Sequence, residues 1–368
     1  MPTISRLSAR VRRDFDSHDV CGERISAHPI VPRRLEVPGT IADVLSIYLD
    51  QNMWVGLKEA VSGRSGGERF AGLPELCQQA VDDERCRFVL SFSHYEETQR
   101  RPPVSDRMEL ARVMLSLSRG HTMCMPQEVI RLEVREALID VLDLDEAPSI
   151  DSPFGIGADH ALGFPLIEDG LASINTPAAN RAWAVEYLEF GALIGPDVDL
   201  RDLPADHGVP DRSNNENYVA HRVDLAARMT SWSRDRDRAD RFTKATELIE
   251  ILEIIEEVGT PLGVGSRDVV ALGLEGLERF LSLLPMHSIV TYLHRSSLLS
   301  DRQWQLNDHN DVVYLSSAAA YCSVVAGERH WTSKLKEPRC PTRAAHVLSS
   351  PEELYKVMSR LVNTPEQL

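Results

Sequence analysis

Apolar positions along the chain come in two rhythms. Short, almost unbroken apolar runs alternate with longer stretches in which apolar residues recur every three or four positions, the pattern of buried strands separated by helices. The first run, DVLSIYLDQ at 43–51, carries Val44, Leu45, Ile47, Tyr48 and Leu49 into Asp50, and an amphipathic helix is expected from about Trp54. A glycine-rich tip at 63–67 and a helix from Leu73 to Asp82 lead to a second short strand, RFVLS at 87–91. Ser93 is the expected cap of the next helix, which holds His94, Tyr95, Glu96 and Glu97. Helices over 106–117 and 126–142 flank a third strand candidate at 122–125; in the second of them Ile130, Val134, Leu138 and Leu142 are spaced for burial.

The rhythm then changes. Residues 145–217 are rich in Pro, Gly, Asp and Asn, with one clear helix near 180–190, and 217–297 read as helical. There Phe242, Ala245, Leu248, Ile249, Leu252 and Ile255 form one stripe, closed by Gly259 and Pro261, and Ser266 caps a helix running to Leu284. The earlier rhythm returns with a helix capped by Asn307 or Asp308, whose interior (Val312, Val313, Leu315, Ala318, Ala319) is small enough for close packing. Strands at 322–326 and 344–348 follow, then a helix over 351–361 opened by Ser350 and Glu353 as a capping box. The pattern predicts an N-terminal arm (1–38), an α/β part (39–144), a mainly α-helical insertion (145–300) and a second α/β part (301–368). The fold class is α/β, a central parallel β-sheet flanked by helices and interrupted by that insertion.

Composition narrows the function. The 368 residues leave room for two domains, and 43% hydrophobic with 26% charged is globular composition. No run approaches the ~18 apolar residues of a membrane span, and the N-terminus lacks the apolar core of a signal peptide, so a cytoplasmic protein without membrane partners is expected. Six dispersed cysteines with no C-x-x-C pair suggest neither a disulfide framework nor a zinc ribbon. A net charge of −16 argues against a general nucleic-acid coat, which would be basic. Arg6, Arg10, Arg12 and Arg13 of the arm could touch phosphates; a solvated arm is the competing reading.

The acids carry the chemistry. Asp50 follows the first strand, Glu97 (or Glu96) begins the helix after the second, Asp308 and Asp311 share one helix face at i and i+3, and Glu328 follows a later strand. Each alone reads as a cap, turn or solvated surface residue. Together they fall at the carboxyl ends of parallel strands, where ligands collect in open α/β sheets. Clustered carboxylates raise one another's pKa, a conflict that a divalent cation removes; oxygen ligands without Cys or His at ligand spacing select Mg²⁺ or Mn²⁺ over Zn²⁺. Such a centre activates water for in-line displacement at phosphorus. Glu133 is a secondary candidate among the helix acids. GIGADH at 155–160 lacks the third glycine of the dinucleotide fingerprint and is read as following no strand. His160, His207, His221, His287 and His294 show no ligand spacing, SRDRDRADR at 233–241 reads as salt-bridged, and Glu247, Glu250, Glu253 and Glu257 read as a solvated face or a site for a basic partner. The D-x-D nucleophile motif of one large phosphatase class is absent, Asp50 being followed by Gln51 and Asn52.

The order IYLDQNMW, FVLSFSHYEET, NDHNDVVYLSSAAAYCSVVAGERHW and AHVLSSPEEL resembles the successive motifs of PIN-domain nucleases, over about half the chain, 40–140 and 300–361. The resemblance implies a Mg²⁺- or Mn²⁺-dependent endonuclease, with RNA as the expected substrate and DNA the alternative. Residue by residue, it carries the metal-binding and catalytic roles to Asp50, Glu97, Asp308 and Asp311, and a late metal-binding acid to Glu328; Glu96 competes with Glu97 in register. Ser323 departs from a frequent Asp, and Ala326-Gly327 from the usual Val-Thr before the late acid. Arg100, Arg101, Arg329 and Lys334 are candidate phosphate contacts against a solvated reading. The insertion lies outside the minimal domain and could offer a surface to a protein partner or a second copy of the chain. The rival readings are a catalytically silent PIN-like interaction module and another metal-dependent phosphohydrolase.

Overall fold

The computed structural model describes residues 44–145, 152–174, 181–195, 220, 224, 236–298, 304–305 and 308–363. The expected arm at 1–38, the cap Asn307, and His207 and His221 lie outside them. The fold is α/β, with one parallel four-stranded sheet in the order β2 (Cys86–Val89), β1 (Leu45–Leu49), β5 (Val324–Ala326), β6 (His346–Leu348), flanked by helices and interrupted by a large helical insertion. By its contacts the chain divides into two units, one drawn from Met1–Met125, Phe154–Asp211 and Ser350–Leu368, the other from Pro126–Pro153 and Arg212–Ser349.

In the first unit β1 (Leu45–Leu49) runs parallel to β2 (Cys86–Val89), with Leu45 opposite Cys86 and Tyr48 opposite Val89. Parallel neighbours need a crossover. It is made by α1 (Gln51–Val61), a 3-10 turn (Ser65–Phe70) and α2 (Leu73–Asp82). The turn lies so close to α1 that a Cβ on Gly56 would sit 2.1 Å from the Phe70 ring, so only glycine fits there. After β2 come α3 (Phe92–Gln99), α4 (Val104–Ser118) and β3 (His121–Met123). The last pairs antiparallel with β4 (Phe154–Ile156), which leads into α6 (Gly157–Leu162), α7 (Leu166–Ile174) and α8 (Arg181–Ile194); α5 belongs to the second unit. A closing helix, α15 (Pro351–Asn363), packs on α2, and the Arg85 guanidinium donates to the carbonyls of Leu361 (2.8 Å) and Val362 (2.7 Å) near its end.

GIGADH begins inside a strand, Gly155 and Ile156 being the last two residues of β4, where the sequence reading placed no strand. Gly157, the first residue of α6, takes φ +85°, and Glu189 of α8 accepts the Ala158 N–H at 2.9 Å, so the helix start is occupied by the protein's own carboxylate. β4 has no local signature because what defines it is a partner strand 31 residues away, Met123 opposite Phe154.

The second unit holds α5 (Pro126–Val141), α9 (Arg236–Gly259), α10 (Ser266–Ala271), α11 (Gly273–Ser282), α12 (Pro285–Leu298), α13 (Asp308–Tyr321), β5 (Val324–Ala326), α14 (Arg329–Leu335) and β6 (His346–Leu348). Val324 pairs with His346 and Ala326 with Leu348 in parallel register. The small residues Ser316 to Ala320 of α13 are all buried, as their size predicts. The helix expected from Ser266 to Leu284 is two helices, broken where Gly273 takes φ +70°, and Gly265 rather than Ser266 stands at its cap. Cys77, Cys86, Cys124, Cys322 and Cys340 are buried free thiols. No helix among the described residues is long and apolar enough to cross a membrane.

Helix α9 departs most from its sequence pattern. The buried line is Thr243, Glu247, Ile251 and Ile255, whereas Ile249 of the expected stripe is 67% exposed and Ala245 is also exposed. Spacing by four is the ridge that interlocks with neighbouring helices in the commonest packing class. It carries Glu247, 1% exposed, onto His294 of α12, which is 2% exposed, with the carboxylate 2.7 Å from Nδ1. Glu247 is thus no part of a solvated face, and Glu257 pairs across to Arg131 of α5 at 3.1 Å.

A buried pair of this kind orients more than it stabilises. Urea unfolding should show Glu247→Leu alone costing on the order of 3 kcal/mol, since the imidazole loses its partner, with most of that loss recovered in Glu247→Leu/His294→Leu. A double variant as unstable as the single one would show that the pair itself holds α9 on α12.

Candidate functional site

Strand β1 ends at Leu49 and hands over directly to α1, three residues earlier than the sequence pattern implies. Asp50 stands at the N-cap with extended backbone (φ −62°, ψ 156°), and its carbonyl accepts the N–H of Met53 at 2.9 Å. Its carboxylate does not cap the helix. The position is the bland one weighed for this residue, a helix cap, but the side chain is not used in that way.

Helix α3 is capped by Ser91, not Ser93. His94 completes a capping box at the position usually held by Glu or Gln: the Ser91 N–H donates to Nδ1 at 2.8 Å. Nε2 lies 2.7 Å from the Leu49 carbonyl, which can only accept, so the ring is the neutral tautomer with its proton on Nε2. Burial pushes the imidazole down to about 4, against the opposing pull of the Leu49 carbonyl. The ring lies beside Tyr48 (centroids 5.1 Å apart) and meets Trp54 edge-on.

Tyr48 is where the two candidate acids of this unit act together. Burial raises its hydroxyl far above the ordinary tyrosine range, the charge of Asp50 raises it further and that of Glu97 adds to this, while the Ser91 and Ser93 hydroxyls pull it down. The Ser91 Oγ lies 3.5 Å from the Tyr48 hydroxyl and 2.9 Å from Ser93 Oγ. Glu96 is bonded by Arg100 at 2.6 Å, and of the two neighbouring glutamates it is the charge of Glu97 that acts on the Tyr48 hydroxyl. Arg101 is bonded to Asp106 at 3.0 Å, which leaves both arginines in ion pairs. Gln51, buried beside Asp50, donates to Thr98 Oγ1 at 2.9 Å and ties the start of α1 to α3.

In the second unit Asp308 and Asp311 share the first turn of α13, the former buried and the latter partly exposed. Asp308 Oδ2 accepts the Gln305 N–H at 2.6 Å, and the Asp308 N–H donates back to the Gln305 carbonyl at 3.0 Å. Trp304, just before, packs between His294 and Trp331. Glu328 is exposed at the N-cap of α14, after β5, and its carbonyl accepts both the N–H and the hydroxyl of Thr332. Arg329 is exposed, and Lys334 donates to Ser296 Oγ at 2.6 Å.

Among the described residues, no group of three or more His, Cys, Asp and Glu side chains is placed to hold a metal ion. A pair is a narrower fit. Mg²⁺ commonly keeps several waters and binds through one or two carboxylates with substrate phosphates, which Asp50 and Glu97 could supply; a larger all-protein cage is not what these residues form.

Glu133 has a different role from the one weighed in sequence. It is buried in α5, where its Oε1 accepts the Met286 N–H (2.7 Å) and the Tyr321 hydroxyl (2.8 Å), and its Oε2 accepts the His287 N–H (3.4 Å). It thus clamps the start of α12 and the end of α13, and burial pushes its carboxyl up to about 7. A carboxyl whose folded pKa lies above its unfolded value gives stability that is full below about pH 4.5 and lost as pH rises through about 7. Glu189, likewise pushed up to about 7 by burial, adds a second loss of the same sign, so chemical unfolding across pH 4–8 should show a loss smaller in Glu133→Gln than in the native chain by on the order of 3 kcal/mol; an identical pH profile in the variant would remove Glu133 as a source. Comparison with protein-family models, with curated proteins and with solved structures finds no match, and what the chain shows by itself is an α/β fold with a helix-flanked parallel sheet and a large helical insertion, the general topology of PIN-like proteins.

Proposed function

We propose that the chain is a Mg²⁺- or Mn²⁺-dependent endonuclease of PIN-like type that cleaves RNA. The observation that carries this reading is the placement of Asp50 directly after β1 and of Glu97 on the helix that follows β2, two adjacent parallel strands, on the side where ligands gather in open α/β sheets. The motif order from IYLDQ to E-x-x-W supports it.

A divalent cation bound there would polarise a phosphodiester and make water a stronger nucleophile. Asp50 and Glu97 would hold it from two elements fixed to one another by His94 and Gln51. Asp308, Asp311 and Glu328 keep the roles that the motif order gives them, as further carboxylates of the reaction. In hydrolysis the water oxygen adds to phosphorus, the bond to the leaving ribose oxygen breaks, and that oxygen takes a proton. With net charge −16 and Arg100 and Arg101 in ion pairs, general attraction for nucleic acid is weak, so recognition is local or supplied by a partner bound to the insertion.

A second reading has one observation in its favour. The missing group of three metal-binding side chains among the described residues suits a PIN-like module without activity, whose insertion binds a protein or a second copy of the chain.

The deciding experiment is cleavage of a mixed pool of labelled RNA and DNA with Mg²⁺ or Mn²⁺. Asp50→Asn and Asp308→Asn should each lower the metal-dependent rate by about 100-fold, the upper end of what even a group behind a metal ligand costs. A folded native chain that cuts nothing would favour the silent module, and variants as active as the native chain would place the chemistry elsewhere.

A further inference from the structure

Capping boxes close with Glu or Gln because the helix start needs only an acceptor for the N-cap N–H. A histidine at that place supplies an acceptor and, at the far side of a rigid ring, a donor. His94 uses both. Nδ1 holds the Ser91 N–H of the α3 start, and Nε2–H holds the carbonyl of Leu49, the last residue of β1 and the one before Asp50. The imidazole is therefore a strut between two chain segments 45 residues apart, one ending in Asp50 and the other carrying Glu97 three residues beyond the ring.

A carboxylate at position 94 could close the capping box, but it has no proton for the Leu49 carbonyl and would set a third negative charge beside Asp50 and Glu97. A charged imidazolium would neutralise those acids and compete with a cation. Burial keeps the ring neutral over the physiological range, so it fixes geometry without altering the local charge. Packing against Tyr48 on one side and Trp54 on another holds the ring in this orientation.

We propose that His94 is a positioning residue that locks the end of β1 to the start of α3 and thereby sets the distance between the carboxylates of Asp50 and Glu97. As a device for metal binding this rests on the function proposed above; as a device for bringing two carboxylates together it does not.

Two measurements on the full chain separate these. The first is metal-free: the Glu97 carboxyl is titrated by NMR with and without Asp50→Asn, in the native chain and in His94→Phe. Removing the Asp50 charge should lower the Glu97 midpoint in the native background and leave it nearly unmoved in His94→Phe, with His94→Gln in between because its amide can form part of the strut. Equal shifts in all backgrounds, or none in the native one, would overturn the proposal. The second is Mn²⁺ affinity by electron paramagnetic resonance. His94→Phe should weaken binding about 10-fold, as is usual for groups that orient metal ligands. Leu354→Ala, a buried substitution in α15 that lowers stability away from the site, should leave affinity unchanged. Should His94→Phe fail to fold, His94→Gln carries both measurements. A native chain that binds no Mn²⁺ would sink the metal reading, while the titration still decides the role of His94.

Discussion

Taking a carboxylate out of water is costly unless a donor meets it, and this acidic chain meets that constraint repeatedly by placing buried and half-buried acids where backbone N–H groups or cations await them. Glu133 reaches the N–H groups at the start of α12, Glu189 the Ala158 N–H at the start of α6, and Asp159 those of Ile167 and Glu168 at the start of α7. Helix starts leave unpaired N–H groups and a positive dipole end, so a carboxylate there is doubly favoured. Glu247 meets His294, and Asp106 meets the buried ammonium of Lys58. These acids act as anchors between helices rather than as surface charge.

Asp50 stands apart from this pattern. It occupies a cap position without capping, while the neighbouring helix α3 is closed by Ser91 and His94 and leaves Glu97 outside the cap. The effect of both charges falls on Tyr48, whose hydroxyl is already raised by burial. Asp50 and Glu97 follow two adjacent strands, and the neutral ring of His94 joins the backbones that carry them.

The helices of the insertion show how packing overrides a local pattern. Helix α9 follows the ridge that carries Glu247 to His294, and Ile249 is left in solvent. The net apolar loss at Ile249 is small beside the cost of stranding a carboxylate, so the orientation follows the acid rather than the isoleucine. The ring of His294 then lies against Trp304, next to the Gln305 whose N–H holds Asp308.

The sequence by itself determined the alternation of short apolar strands and helices, the position of Asp50 after β1, the shared helix turn of Asp308 and Asp311, and the parallel α/β class. Those features depend on periodicity and on residues within one turn of each other, which are local properties. The ion pair of Glu96 with Arg100 came from the structure, not from the register of the motif. The strut made by His94 needed the carbonyl of Leu49, the clamp made by Glu133 needed α12 and α13, and β4 needed β3. In each case the partner comes from a distant part of the chain, and a buried polar group can be assigned a role only once the group that satisfies it is in place.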